Sequence, residues 1–171
     1  MNAEDHIPPL DLLSGHNLLT IHRAGNTDVP GNLENILGEL SRLKKPVIFP
    51  AHPRTIKKIK ERKIPIGINV KTLAPVSYLE MLCLEANAAA ILTDSGGVQK
   101  EAYLLRTPCV TLREETEWVE TVESGWNQLA GVSPKKISCA LKSWTPPTRH
   151  PDFYGRGDAA VKIAEEISSL T

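Results

Sequence analysis

The residues of this chain best suited to chemistry gather in short polar clusters: His22-Arg23, His52-Pro53-Arg54, Asp94-Ser95-Gly96-Gly97 and Arg113-Glu114-Glu115-Thr116-Glu117. Each directly follows an apolar run. Arginine offers a planar fork that matches phosphate oxygens, and histidine can donate to a phosphate or exchange a proton near neutral pH. Adjacent glycines let a backbone approach an anion closely, and the start of a following helix adds its positive end. Brought to one edge, these groups make a phosphate or diphosphate pocket. Plainer readings stand beside this one. Asp94 or Ser95 could serve only as a helix N-cap, with Gly96 and Gly97 serving the turn. His22 and His52 could be packed structural residues, and Arg23, Arg54 and Arg113 surface charges, although Arg113 is the best placed of the three at a strand end. Glu101 follows Gly97 by four residues on the helix face that looks toward the same turn. Its carboxylate could accept from a ribose diol or simply be solvated. Trp118, in acidic company, either covers a sugar or packs under its loop. The glycine turn is not GxGxxG and lacks the Lys-Ser/Thr of a P-loop, and no HxH, HExxH or paired carboxylate marks a metal site.

Such clusters need elements to position them. Apolar, β-rich runs at 18–22, 47–52, 70–73, 89–93, 109–112 and, more weakly, 127–130 alternate with stretches of helical period at 33–43, 55–62, 77–87, 97–106, 134–144 and 158–170. Within 77–87, Leu79, Leu82, Cys83 and Ala86 fall at i, i+3, i+4 and i+7, which predicts one helix face turned to the core. Short apolar strands separated by helices demand right-handed crossovers and a parallel sheet covered on both faces. The expected fold is therefore α/β, a single Rossmann-like domain with a parallel sheet of about six strands flanked by helices. Ligands in such sheets bind at the carboxyl ends of the strands, which is where every cluster above falls. Residues 1–16 read as a linker or interdomain remnant and 17–171 as the domain, with the proline-interrupted stretch 144–151 connecting the last two helices.

Composition narrows the function classes. With 20 Lys+Arg against 20 Asp+Glu the chain has no global field to attract nucleic acid or an anionic membrane, so an anionic ligand must be held locally. No apolar run approaches the roughly 18 residues of a membrane span, and the start lacks the regions of a signal peptide, so the expectation is a cytoplasmic protein. Cys83, Cys109 and Cys139 lie in apolar segments without CxxC spacing and are expected to be buried, reduced thiols.

Taken in order, the strand-end motifs resemble the carboxyl-terminal half of the non-hydrolysing UDP-N-acetylglucosamine 2-epimerases. The matching text is Leu19-Thr20-Ile21-His22-Arg23 with Asn26-Thr27-Asp28, Phe49-Pro50-Ala51-His52-Pro53-Arg54-Thr55, and Leu92-Thr93-Asp94-Ser95-Gly96-Gly97-Val98-Gln99-Lys100-Glu101-Ala102. It continues through Pro108-Cys109-Val110-Thr111-Leu112-Arg113, Thr116-Glu117, Gly125-Trp126-Asn127 and Tyr154-Gly155. The resemblance implies the carboxyl-terminal half of a GT-B-like architecture, in which two Rossmann-like domains face each other and this one binds UDP. It assigns Ser95, Gly96 and Gly97 to the diphosphate, Glu101 to the ribose, Arg23 to the phosphates and the segment from Pro75 to Tyr78 to the uracil. Arg113 joins the UDP set, His22 the catalytic set, and His52 a regulatory UDP-sugar site.

The implied reaction interconverts UDP-GlcNAc and UDP-ManNAc by elimination of UDP and its re-addition to the opposite face, with no metal or cofactor, as in enzymes that supply cell-surface polysaccharide synthesis. It needs a base, an acid and cationic donors for departing UDP. This chain supplies the donors, and the acid/base carboxylates belong to an amino-terminal domain missing from it. On this reading the chain is truncated relative to the family, inactive alone, and expected to pair with that domain or a separate chain carrying it; family dimers form largely through that other domain. The sequence departs from the family at Ala24 and Gly25, where an arginine and a glutamate are usual, a loss that bears on the regulatory site and on domain closure. Lys100 replaces an acidic residue and Trp118-Val119 an Arg-Pro pair. Two alternatives stand beside the enzyme half: a free-standing nucleotide-sugar binding module, and half of a hydrolysing UDP-GlcNAc 2-epimerase.

Overall fold

A computed structural model of the chain describes residues 15–155 and 157–169. Its strands are β1 (Asn17–Thr20), β2 (Val47–Pro50), β3 (Val70–Leu73), β4 (Ala90–Thr93), β5 (Cys109–Thr111) and β6 (Asn127–Leu129). The helices are α1 (Ala24–Thr27), α2 (Asn32–Leu40), α3 (Pro53–Glu61), α4 (Tyr78–Ala86), α5 (Gly96–Leu104), α6 (Val119–Glu123), α7 (Pro134–Ser143) and α8 (Ala159–Ser169). All strand pairs are parallel in one sheet of order β3-β2-β1-β4-β5-β6. The chain winds outward from β1 in one direction, returns to the centre, and winds from β4 in the other. The carboxyl ends of β1 and β4 therefore flank the switch point, where the loops diverge and leave a crevice. The linker expected over 1–16 falls, up to residue 14, outside the described residues; Gly15 donates its N–H to the Asn87 carbonyl at 3.1 Å and His16 is buried.

Alternation along the strands builds two cores, because successive strand residues point to opposite faces. Leu19, Phe49, Leu92 and Val110 join Leu33, Ile36, Leu37 and Leu40 of α2, Ile59 of α3 and Ile137 of α7 on one face. Their strand neighbours Leu18, Ile48, Ile91 and Cys109 meet Leu84 of α4 and Ala102 of α5 on the other. The helices that close these faces start on sequence-encoded caps. Ser77 and Glu80 form a reciprocal capping box on α4, Ser133 caps α7 ahead of Pro134, and His52 caps α3 ahead of Pro53.

Two expectations need correction. The buried residues of α4 are Leu84 and Glu85, with Met81 packed alongside, while Leu79, Cys83 and Ala86 are exposed. This helix is apolar around most of its circumference, so period alone could not choose its face; the capping box and the packing against α5 decide it. Of the three cysteines, all free, only Cys109 is buried and Cys83 and Cys139 are exposed. Burial pushes the Cys109 thiol up to about 12, so it stays an inert, protonated core residue.

Candidate functional site

The crevice is organised by Asp94, which ends β4 with 0% exposure. A buried carboxylate must find donors, and its Oδ2 accepts the backbone N–H of Arg23 at 3.1 Å and the Asn26 amide at 3.1 Å. Its Oδ1 accepts the His22 N–H at 3.2 Å and lies 3.3 Å from His22 Nδ1. Asn26 also donates to the Leu112 carbonyl at 2.9 Å. One aspartate thus ties the turn leaving β1 to the turn leaving β4, and Asn26 extends the tie to β5. Beneath them the hydroxyls of Thr20 and Thr93 share a hydrogen bond of 2.6 Å across the two central strands. The His22 ring thus rests beside the Asp94 carboxylate, and its side chain is 53% exposed at the crevice. His22 is therefore reachable, not packed.

The glycine turn resolves in favour of an open helix start. Ser95 occupies the N-cap position of α5 but makes no side-chain capping bond, so its hydroxyl and the first N–H groups of the helix are free to meet a ligand. An anion already stands nearby: Glu117 Oε2 lies 3.5 Å from where a Cβ on Gly96 would sit. Arg113, 16% exposed, grips that carboxylate with both arms of its fork, at 2.8 Å and 2.9 Å, and Arg23 approaches it at 4.0 Å. The hydrogen bonds from Arg113 hold the Glu117 carboxyl down at about 2, so it is ionised throughout the physiological range. Two arginines and a helix start thus converge on one carboxylate, an arrangement that can accept another anion in its place.

The wall behind this point is polar, and the buried amide nitrogen of Gln99 has no hydrogen-bond partner among the described residues. Buried Gln99 accepts from the Thr116 hydroxyl at 2.6 Å and from the Asn127 amide at 3.3 Å, which pins the 113–118 loop to α5 and β6. Trp118 donates its indole N–H to the Gly96 carbonyl at 2.8 Å, and Lys100 Nζ lies 4.6 Å above both its ring and that of Tyr154. The indole therefore packs under its own loop and braces the turn.

Glu101, half-buried on α5, stands beside Glu85 of α4 and acts on the phenol of Tyr78, whose pKa it raises through its charge. Glu85 has 0% exposure, and neither of its carboxyl oxygens has a hydrogen-bond partner among the described residues. Burial, with the Glu101 carboxylate next in importance, pushes its pKa up to about 8.

The structure thus brings His22, Arg23, Ser95, Gly96, Gly97 and Arg113 to the switch point, with Tyr78 and Glu101 as a second group on the α4–α5 side. His52 and Arg54 form a separate cluster one strand away. His52 Nδ1 accepts the Arg54 N–H at 3.2 Å, and the Arg54 guanidinium pairs with Asp28, which Lys58 also approaches at 3.6 Å. Pro75 lies exposed beyond edge strand β3, lining a groove with Ala51 and Pro53. Sequence reasoning weighed Asp94 only as a cap and did not single out Asn26, Gln99, Glu85 or Glu117 as site residues. For Asp94 and Asn26 the available signal was the demand of two adjoining strand-end turns for hydrogen-bond acceptors and donors. For Glu117 it was the four-residue spacing from Arg113.

Among the described residues no group of three or more His, Cys, Asp or Glu side chains is placed to hold a metal, and no helix is long and apolar enough to cross a membrane.

The sequence model of the UDP-N-acetylglucosamine 2-epimerases matches residues 12–168. A UDP-N-acetylglucosamine 2-epimerase homolog of Methanococcus maripaludis is 49% identical over 158 residues, covering 90% of this chain and 44% of the relative. The UDP-2,3-diacetamido-2,3-dideoxy-D-glucuronate 2-epimerase of Pseudomonas aeruginosa is 41% identical over 98% of this chain and 49% of its own. Among solved structures, the Methanocaldococcus jannaschii UDP-GlcNAc 2-epimerase in complex with UDP-GlcNAc and UDP superposes with a TM-score of 0.83 at 39% identity, over 93% of this chain and 46% of that one. The six-stranded parallel sheet is thus one half of a GT-B-type architecture, and the chain spans about half the length of the relatives it matches. With a family match over most of its length and the strand-end motifs of β1, β4 and β5 converging on one crevice, this chain belongs to the UDP-N-acetylglucosamine 2-epimerase family.

Proposed function

We propose that this chain is the UDP-binding half of a UDP-N-acetylglucosamine 2-epimerase, completed by an amino-terminal half that brings the acid/base carboxylates. The observation that carries the reading is the Glu117 carboxylate held between Arg113 and Arg23 at the start of α5: a diphosphate presents charge of the same sign, more of it and on more oxygens. In this reading Ser95, Gly96 and Gly97 take the diphosphate together with Arg23 and Arg113. Glu101 accepts from the ribose hydroxyls, and the uracil rests between Pro75 and Tyr78. His22, whose backbone N–H is anchored on Asp94, faces the departing phosphate or the sugar, and His52 belongs to a regulatory UDP-sugar site.

Catalysis requires removal of a weakly acidic proton at C2, loss of UDP, and return of a proton on the other face. The residues here stabilise charge on UDP as it leaves, which an oriented cationic site does without reorganisation. The carboxylates that move the C2 proton come from the other half, so the chain alone turns nothing over. Mixing it with a purified amino-terminal half and following UDP-ManNAc formation tests the reading; an assembled complex that binds UDP-GlcNAc without turnover refutes it. The Pseudomonas relative matches the larger share of this chain, so UDP-2,3-diacetamido-2,3-dideoxy-D-glucuronate is the second substrate to assay. Release of free sugar and UDP in the same assay would place the protein with the hydrolysing enzymes instead. In the cell, the product supplies cell-surface polysaccharide synthesis.

A further inference from the structure

Glu85 is the one fully buried carboxyl group beside the candidate nucleotide site that the proposed chemistry leaves without a task. It lies on α4, which packs against the helix α5 that carries Glu101, close enough for the Glu101 carboxylate to act on it; it has no solvent exposure and no hydrogen-bond partner for either oxygen among the described residues. Its own backbone carbonyl is fixed by the Thr107 hydroxyl at 3.0 Å, so the helix cannot easily turn to release it. A buried, unpaired carboxylate is far costlier than a buried carboxylic acid, and two carboxyl groups placed together readily hold one proton between them. The titratable groups coupled to Glu85 are Glu101 from α5, Tyr78 from its own helix and Cys109 from β5. Among these coupled groups there is no cation to neutralise it.

We infer that Glu85 is a positioning residue that, in its protonated form, donates to the Glu101 carboxylate and holds it ready for the ribose hydroxyls of a bound nucleotide. The inference rests on the reading of Glu101 as the ribose acceptor. A carboxylate has about four lone-pair sites, so one given to Glu85 leaves enough for a vicinal diol. When Glu85 loses its proton, the donor is gone and two negative charges face each other across the α4–α5 contact. Glu101 is then driven away from the ribose, and nucleotide affinity falls as the solution becomes more alkaline.

The test is calorimetric titration of the full chain with UDP from pH 6.5 to 8.8, comparing wild type, Glu85→Gln and Glu85→Leu. Because all three share the titration of UDP itself, only differences between their profiles count. Wild type should weaken several-fold relative to Glu85→Gln across this range, approaching tenfold per pH unit at the alkaline end. Glu85→Leu, which removes the donor without adding a charge, should bind about tenfold more weakly at pH 7 and show no relative pH dependence. Glu85→Gln, whose amide keeps a donor toward Glu101, should recover most of that loss. Circular dichroism of each variant establishes that it is folded. Parallel profiles for wild type and Glu85→Gln, or a Glu85→Leu that binds as tightly as wild type, overturn this inference alone. Absence of UDP binding by the folded wild-type chain overturns the assignment of Glu101 and this inference with it.

Discussion

Replacing Asp94 by asparagine should damage this protein more than its size and shape suggest. The side chain is sterically near-identical, but one acceptor oxygen becomes an NH2 group. Placed at Oδ2, that group faces the Arg23 N–H and the Asn26 amide, both at 3.1 Å, so two accepted bonds become donor-to-donor contacts. Placed at Oδ1, it faces the His22 N–H at 3.2 Å and the His22 ring at 3.3 Å. The first placement strands two donors, and the second takes from the His22 N–H the nearer of its two acceptors while the Oδ2 contact at 3.3 Å remains, all at a position with 0% exposure. Hydrogen bonds to a charged acceptor contribute about 1.5–3 kcal/mol each, and the losses overlap because the donors share one group, so a net cost of about 3 kcal/mol is expected. Against a total stability of about 5–15 kcal/mol and a urea slope of about 1–3 kcal/mol/M, the unfolding midpoint should fall by at least about 1 M. Urea denaturation followed by far-ultraviolet circular dichroism measures this directly. UDP affinity should fall at least tenfold in conditions where the variant is folded, because the turn that carries His22 and Arg23 loses its anchor. A variant within about 0.5 kcal/mol of wild type would refute the reasoning that Asp94 organises the crevice.

Further outcomes follow from the same geometry. Glu117→Gln removes the anion that occupies the Arg113 fork, so UDP should bind several-fold tighter, while Arg113→Ala should weaken it; calorimetry on both variants checks the pair of signs. Glu85 also predicts a pH effect on folding. Its pKa is raised from 4.5 to about 8 in the folded chain, so the folded form retains a proton that the unfolded form gives up. The stabilisation it brings is complete below about pH 4.5 and is lost progressively as pH rises to about 8, by roughly 1.4 kcal/mol per pH unit and on the order of 5 kcal/mol in all. Urea unfolding of wild type and Glu85→Gln at pH 5.5 and 8 isolates this term, and equal pH slopes for the two would contradict it.

Much of the architecture was legible in the sequence because its signals are local. The six apolar runs all became strands, trimmed by a residue or two where His22 and His52 leave the sheet to enter turns. The helical periods located α2, α3, α4, α5, α7 and α8 within a few residues, but α1 is a single short turn with no periodicity to read. Face selection on α4 failed for a physical reason: with apolar residues on several sides, the choice depends on tertiary packing and not on spacing. The same failure hid Glu85, since a glutamate in an apolar helix is expected to point outward. Placement at the strand ends was enough to bring His22, Arg23, Ser95, Gly96, Gly97 and Arg113 together. Partnerships within the crevice were less legible, because Asp94, Asn26, Gln99 and Glu117 act through contacts between residues far apart in sequence or through a loop whose course the sequence does not reveal.

The central claim is that this half of the fold is by itself a competent UDP site. Calorimetric titration of the chain with UDP and UDP-GlcNAc, alongside Ser95→Ala and Glu101→Ala, tests it most directly. Saturable binding that both substitutions weaken, by at least several-fold each, is the predicted result. A folded chain that shows no binding at millimolar UDP, or binding that neither substitution changes, would contradict it.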